Sequence, residues 1–353
     1  MPIVNVSQLR SGEKLNQNVT TSLGGTLFFK GKQLVPRDIE VLKAFLIPAV
    51  TVEGKHETPV KTEQQQLEPE GQDTGNLFYT EYDRMIALLK KSVNTANGGA
   101  GLPILDIRQQ MESLVQLMDH YNILTFLPKM NGSDDYVYHN SILVALTSYL
   151  LARWHGFPNK DWMQIALAGL FHDIGNIKVD AAILNKPSKL TMEELEEMKK
   201  HTVYGYNLLK NVPAINEGVK LAALQHHEKI DGTGYPLGLK DEKIHIYAKV
   251  VAIADIFHAM TSQRAHKKAE SPYLVLEQLF AESFGKLDPA LVQTFIQKVT
   301  QFGNGTVVRL NDNRIGEVVF SDRAHPTRPW VKVDGHIVNL TIDRQYYIQE
   351  VIQ

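Results

Sequence analysis

The sequence predicts a mainly α protein, a helical bundle with a small β-rich module at each end. Three observations carry this. Across residues 76–302 apolar residues recur three and four apart, the helical period, whereas beyond Gly303 the period drops to two, that of half-buried strands. Between residues 55 and 75 large apolar residues nearly vanish, which separates the N-terminal module from the helices.

Taken in order, residues 1–54 alternate short β-rich runs ("IVNV", "TLFF", "AVTV") with turn signals at Gly24-Gly25 and Gly31. One helical stretch, "RDIEVLKAF", follows Pro36, so this is a small α+β module. Residues 55–75, "KHETPVKTEQQQLEPEGQDTG", are rich in Glu, Gln and Pro and read as a solvated linker. Residues 76–302 form the helical domain. There "LVQLMDHYNIL" and "LTMEELEEMKKHTVYGYNLL" each read as a helix, Thr191 and Glu194 form a predicted capping box, and "WMQIALAGL" is apolar enough to be a buried helix. Residues 303–353 hold five strand-like runs, "TVVRL", "IGEVVF", "WVKV", "HIVNL" and "YYIQEVI", with turns at "NDN" and "DG". The two β-rich ends are expected to pack together as one unit.

Composition bounds the chemistry. With 43% hydrophobic and 22% charged residues the chain can bury a core, and a formal net charge of -2 gives no global field for a DNA or RNA polymer or an anionic membrane. Cysteine is absent, which excludes disulfides, thiolate metal sites, iron–sulfur clusters and cysteine nucleophiles. Any metal must be held by nitrogen and oxygen. The start "MPIVNVSQLRSGEK" lacks a basic segment followed by an apolar one, and no apolar run approaches the roughly 18 residues of a membrane span, so a cytoplasmic location is expected.

Within that frame "FHDIGN", Phe171 to Asn176, is unusual, because it sets an imidazole beside a carboxylate just after the apolar run. Buried ionisable groups persist when they are paired, hydrogen-bonded or bound to a metal. Six of the 13 histidines lie between His139 and His227. Asp135 and His139 are four apart on one helical face, His172 and Asp173 are adjacent, His201 sits in "KKHTVYGY", His226 and His227 in "LQHHEKIDG", and Asp255 within the apolar run "VVAIADIFHAM". Singly, each could be a hydrogen-bonded boundary residue. Together these His and Asp side chains offer more ligands than one tetrahedral ion uses, which suggests two or three divalent transition-metal ions, with iron, manganese or another ion open, and Asp173 as the candidate bridge.

The strings "HDIG", "HHEKIDGTGYPLGL" and "IADIFHAMTSQRAHK" resemble the HD-GYP branch of the HD phosphohydrolase superfamily, the cyclic di-GMP phosphodiesterases of bacterial signalling, over roughly residues 130–300. The resemblance implies an HD-type helical bundle. It also implies that His139, His172, Asp173, His201, His226, His227 and Asp255 are metal ligands, and that Asp135 stands where some members carry a Glu supporting a third ion. Gly234, Tyr235 and Pro236 match the family's substrate-side loop, within which Asp231 also falls, while Arg264 and Lys267 match positions facing the nucleotide. The implied activity is hydrolysis of cyclic di-GMP to linear pGpG, with GMP from a further cut. Asn176 departs from the family, which usually has Lys there, so Asn176 is expected at the phosphate as a neutral donor. Two alternatives stay open: a catalytically weak cyclic di-GMP sensor, and an interaction module that partners other signalling proteins or a second copy of itself.

Overall fold

The computed structural model describes residues 3–6, 9–20, 26–45, 47, 49–53, 74–97, 101–126, 128, 135–186, 188–262 and 269–352. The chain divides into two compact units, one formed by Met1–Gly71 with Thr300–Gln353 and the other by Gln72–Val299.

Among the described residues, the named strands all lie in the first unit. Its N-terminal part has β1 (Ile3–Asn5), β2 (Lys14–Leu15), β3 (Val19–Thr20), β4 (Thr26–Phe28), α1 (Pro36–Ala44) and β5 (Ala49–Glu53). Strand order is β1-β5-β2 in one sheet, with Val4 opposite Val50, and β3 pairs with β4 in a second. Pro36 fits the first turn of α1, where no intrahelical donor is needed, and the N–H of Val35 donates to Asp38 at 3.0 Å. The expected runs appear as β1, β4 and β5. The strands β2 and β3, two residues each, are too short to show a period in the sequence. The Gly24-Gly25 turn lies outside the described residues.

The C-terminal part of this unit is an antiparallel sheet of β6 (Val307–Leu310), β7 (Ile315–Phe320), β8 (Trp330–Val333), β9 (His336–Asn339) and β10 (Ile348–Val351), ordered β10-β6-β7-β8-β9. All five expected runs are strands, and the "DG" turn joins β8 to β9 where Val333 faces His336. Val307 and Ile352 are buried in one cluster with Leu15, Leu27, Phe28, Leu34 and Leu42, so both ends of the chain share this core.

The second unit is helical: α2 (Thr74–Asn97), α3 (Ile104–Val115), α4 (Tyr136–His155), α5 (Asn159–Phe171), α6 (Ala181–Leu184), α7 (Met192–Lys199), α8 (His201–Leu209), α9 (Glu217–Gln225), α10 (Ile246–Thr261), α11 (Pro272–Glu282) and α12 (Pro289–Val299). The expected linker lies outside the described residues except for Thr74 and Gly75, with which α2 begins. Central in this unit is α4, buried on all sides from His139 to Leu146 and packed against α2, α5, α10 and α12. Among the described residues no helix is long and apolar enough to cross a membrane.

Two stretches read as single helices are broken. In "LVQLMDHYNIL" α3 ends at Val115 and a 3-10 turn, Met118–His120, follows. That tighter turn stacks residues three apart, and it lets Met118 and Tyr121 both be buried. The capping box at Thr191 and Glu194 forms as expected, but the helix it starts pauses at Lys200. There the ring of His201 and the hydroxyl of Thr202 donate to the carbonyls of Met198 and Lys199, at 2.7 and 2.9 Å, in competition with the main-chain ladder.

Candidate metal centre

Helix ends deliver the side chains. The last residue of α5 is Phe171, and the chain leaves it through His172 and Asp173 into a 3-10 segment, Ile174–Lys178. His201 opens α8, His226 and His227 follow the last residue of α9, and Asp255 comes from within α10. Gly175 makes the junction possible. A Cβ there would lie 1.9 Å from the carbonyl oxygen of His201 and 2.5 Å from the amide nitrogen of Gly205, so only glycine lets the 3-10 segment press against α8 and bring Asp173 to His201.

The donor atoms converge. One ligand atom from each of Asp173, His201, His226 and His227 lies within 4.8 Å of the others. The two oxygens of Asp173 face different rings: Oδ1 is 3.3 Å from His201 Nε2 and 3.7 Å from His226 Nε2, while Oδ2 is 3.5 Å from His172 Nε2. His172 Nε2 is also 3.4 Å from Oδ1 of Asp255.

The protons on the rings follow from their other nitrogens. Nδ1 of His172, His201 and His226 lies 2.7, 2.7 and 3.1 Å from the backbone oxygens of Gly169, Met198 and Ala222. A carbonyl can only accept, so these Nδ1 atoms carry hydrogen, and in the neutral ring Nε2 keeps its lone pair. Lone pairs and carboxylate oxygens then face one another, an arrangement that a cation reconciles. Nε2 of His172 is buried without a hydrogen bond of acceptable geometry.

The electrostatics agree. Burial holds His201 and, with His226 beside it, His227 below the ordinary imidazole value, so both stay neutral, the ligating form. At His172 burial acts downward, but the carboxylates of Asp173 and Asp255 prevail and raise it to about 9. Burial likewise opposes the charge on Asp173, yet His172, His226 and His201 hold its carboxyl well below the usual range. The buried polar atoms and N/O donor set therefore fit divalent metal.

Other expected residues are placed differently. Nδ1 of His139 meets the hydroxyl of Tyr82 at 3.0 Å, and Asp135 forms an ion pair with Lys90; neither belongs to the convergent group of four. Asn176 is buried, with Oδ1 lacking a hydrogen-bond partner. In the Gly234-Tyr235-Pro236 loop the Tyr235 ring stacks on His227, with centroids 4.7 Å apart. Asp231 is exposed and its carboxylate accepts from the backbone and hydroxyl of Thr233, at 2.9 and 2.6 Å, which fixes the loop's entry. Arg264 and Lys267 lie outside the described residues.

Three contributors escaped the sequence reading. Tyr82 holds the His139 ring, and the Nδ2 of Asn140 lies 3.3 Å from Oδ1 of Asp255. The buried carboxylate of Glu228 accepts from the amides of Leu237 and Leu239, at 2.7 and 2.9 Å, and so ties the Tyr235 loop to the two histidines before it. Only Glu228 had a signal, as a carboxylate next to "HH".

Known proteins are similar to this chain. Residues 128–291 match the family model described as HD domain. A cyclic di-GMP phosphodiesterase of Pseudomonas aeruginosa is 36% identical over 222 residues, 63% of this chain and 53% of that protein. A cyclic di-GMP phosphodiesterase of Thermotoga maritima is 43% identical over 140 residues, 38% of this chain and 37% of that one. A 3′3′-cGAMP-specific phosphodiesterase of Vibrio cholerae is 33% identical over 160 residues, 45% of this chain and 31% of that one. The chain spans about half, or less, of the length of these relatives. Over residues 128–291, which hold the His/Asp centre and the Gly234-Tyr235-Pro236 loop, the chain is similar to HD domains.

Proposed function

We propose that the protein is a metal-dependent phosphodiesterase that hydrolyses cyclic di-GMP to linear pGpG, with GMP as the product of a further cut. The observation that carries this reading is the split role of Asp173, whose two oxygens face separate histidines. Asp173, His201, His226 and His227 would hold one ion, and His139, His172, Asp173 and Asp255 a second. Asp135, paired with Lys90, is left out of this set. Bound divalent ions, iron or manganese in this reading, supply Lewis acidity to water and offset charge on the phosphoryl oxygens.

The chain's own groups do the rest. The carbonyls of Gly169, Met198 and Ala222 hold three rings in the ligating tautomer. Tyr235, stacked on His227, presents an aromatic wall against which a guanine can lie, and Arg264 and Lys267 are assigned to the nucleotide's base and phosphate. The likeness to cyclic di-GMP and 3′3′-cGAMP phosphodiesterases supports a cyclic dinucleotide as substrate.

The test is turnover of both cyclic dinucleotides by metal-loaded protein, with products separated by chromatography. Formation of pGpG that Asp173→Asn abolishes is the expected result. A second reading, a catalytically weak sensor, is favoured by the neutral Asn176. Tight binding of cyclic di-GMP without product would establish it instead.

A further inference from the structure

The rings of the centre are held in two ways. His172, His201 and His226 each give Nδ1–H to a backbone carbonyl, which leaves no choice of tautomer. At His139 that place is taken by the hydroxyl of Tyr82, 3.0 Å from Nδ1. A hydroxyl can accept or donate. If it accepts, Nε2 of His139 keeps a lone pair; if it donates, Nε2 carries the hydrogen and cannot ligate.

The contact is built rather than incidental. Tyr82 is 1% exposed and His139 3%, and their rings stack with centroids 5.7 Å apart and planes 23° apart. Tyr82 is in turn packed by Phe78 and Phe126, with centroids 6.3 and 5.1 Å away, which fixes where its hydroxyl points. All of this comes from α2 and the segment after α3, upstream of the residues 128–291 that match the HD domain.

We propose that Tyr82 is a positioning residue of the metal centre, its hydroxyl accepting Nδ1–H of His139 and so keeping Nε2 of that ring free for a cation. The inference rests on reading His139 as a ligand. It makes α2 part of the working site although it stands outside the family match. Partners that orient a ligating histidine typically matter by about 10–100-fold in metal affinity.

Two measurements test it. In metal-free protein with ¹⁵N-labelled histidine, long-range NMR correlations report the tautomer: hydrogen on Nδ1 of His139 is expected, and hydrogen on Nε2 overturns the proposal. The variant Tyr82→Phe keeps the ring and removes only the hydroxyl. Chelator competition with Mn²⁺ should show about 10–100-fold weaker binding, with His139→Ala weaker still. Wild-type affinity in Tyr82→Phe alongside a loss in His139→Ala would overturn the role of Tyr82 and leave His139 a ligand. Undiminished metal content in His139→Ala would instead remove the reading on which the proposal stands.

Discussion

In the proposed function Asn176 would offer phosphate a neutral amide where a charged amine would bind more tightly. A charge-assisted hydrogen bond contributes about 1.5–3 kcal/mol and a neutral one about 0.5–1.5. A difference of about 1–2 kcal/mol realised in the transition state slows turnover about 5- to 30-fold. Asn176→Lys should therefore raise the rate constant by about that factor in steady-state kinetics. Lys178 cannot stand in, because the chain from Ile174 to Lys178 is a 3-10 helix and residues two apart on it point to different sides. It is exposed, and Lys178→Ala should leave kinetics unchanged; a collapse there with no gain in Asn176→Lys would give Lys178 the role. Asp173→Asn removes one charge and one acceptor from a carboxylate shared between rings, so elemental analysis should find at least one ion fewer and assays no product. Undiminished metal and activity would contradict a shared carboxylate. At this scale the ionisable residues were legible because a His or Asp beside an apolar run needs a partner. Their neutral supports were not: Tyr82 stands 57 residues from His139 and Asn140 115 from Asp255, and neither type is unusual on a helix.

At the scale of elements, the centre depends on how a short 3-10 segment meets α8. The close approach at Gly175 is against backbone atoms of α8, which cannot swing away as a side chain could. Gly175→Ala should cost about 1–3 kcal/mol or more in denaturant unfolding, the range for overpacking. Because the obstructing atom is the carbonyl of His201, relief of the clash also moves that ring from Asp173, so metal affinity should fall with stability. If both are retained, the segment has more freedom than the contact implies. The apolar run "WMQIALAGL" made α5 visible as a buried helix, and the period of two made all five C-terminal strands visible. What the period could not show is where a helix pauses. The break at Lys200 depends on side chains of His201 and Thr202 turning back onto carbonyls, and the one after Val115 on burying Met118 and Tyr121 together. Each is a local competition between hydrogen bonds or packing that leaves the pattern of apolar residues unchanged.

At the scale of the molecule, the two units bury separate apolar clusters. One runs from Phe78 to Ile296 within the helices, and the other joins Val4 through Val52 to Val307 and Ile352. A unit with its own core can fold alone, since burial of apolar surface is the dominant favourable term. We therefore expect a fragment of residues 72–299 to be soluble, to melt cooperatively, to bind Mn²⁺ and to keep the turnover of the full chain. The family match alone, residues 128–291, makes a contrasting fragment. It lacks Phe78, Tyr82, Met85, Ile107 and Met111 on one side and Val292, Phe295 and Ile296 on the other, all members of the same buried cluster. Losing a large buried side chain typically costs about 2–5 kcal/mol, against a total stability of about 5–15 kcal/mol, so removing several should leave 128–291 unfolded. It would also lack the hydroxyl that holds His139. Circular dichroism melts and metal analysis of the two fragments decide the matter. A folded, metal-binding 128–291 would show that α2 and α12 are accessory, and an insoluble 72–299 would show that the helical unit needs the β-rich unit to fold.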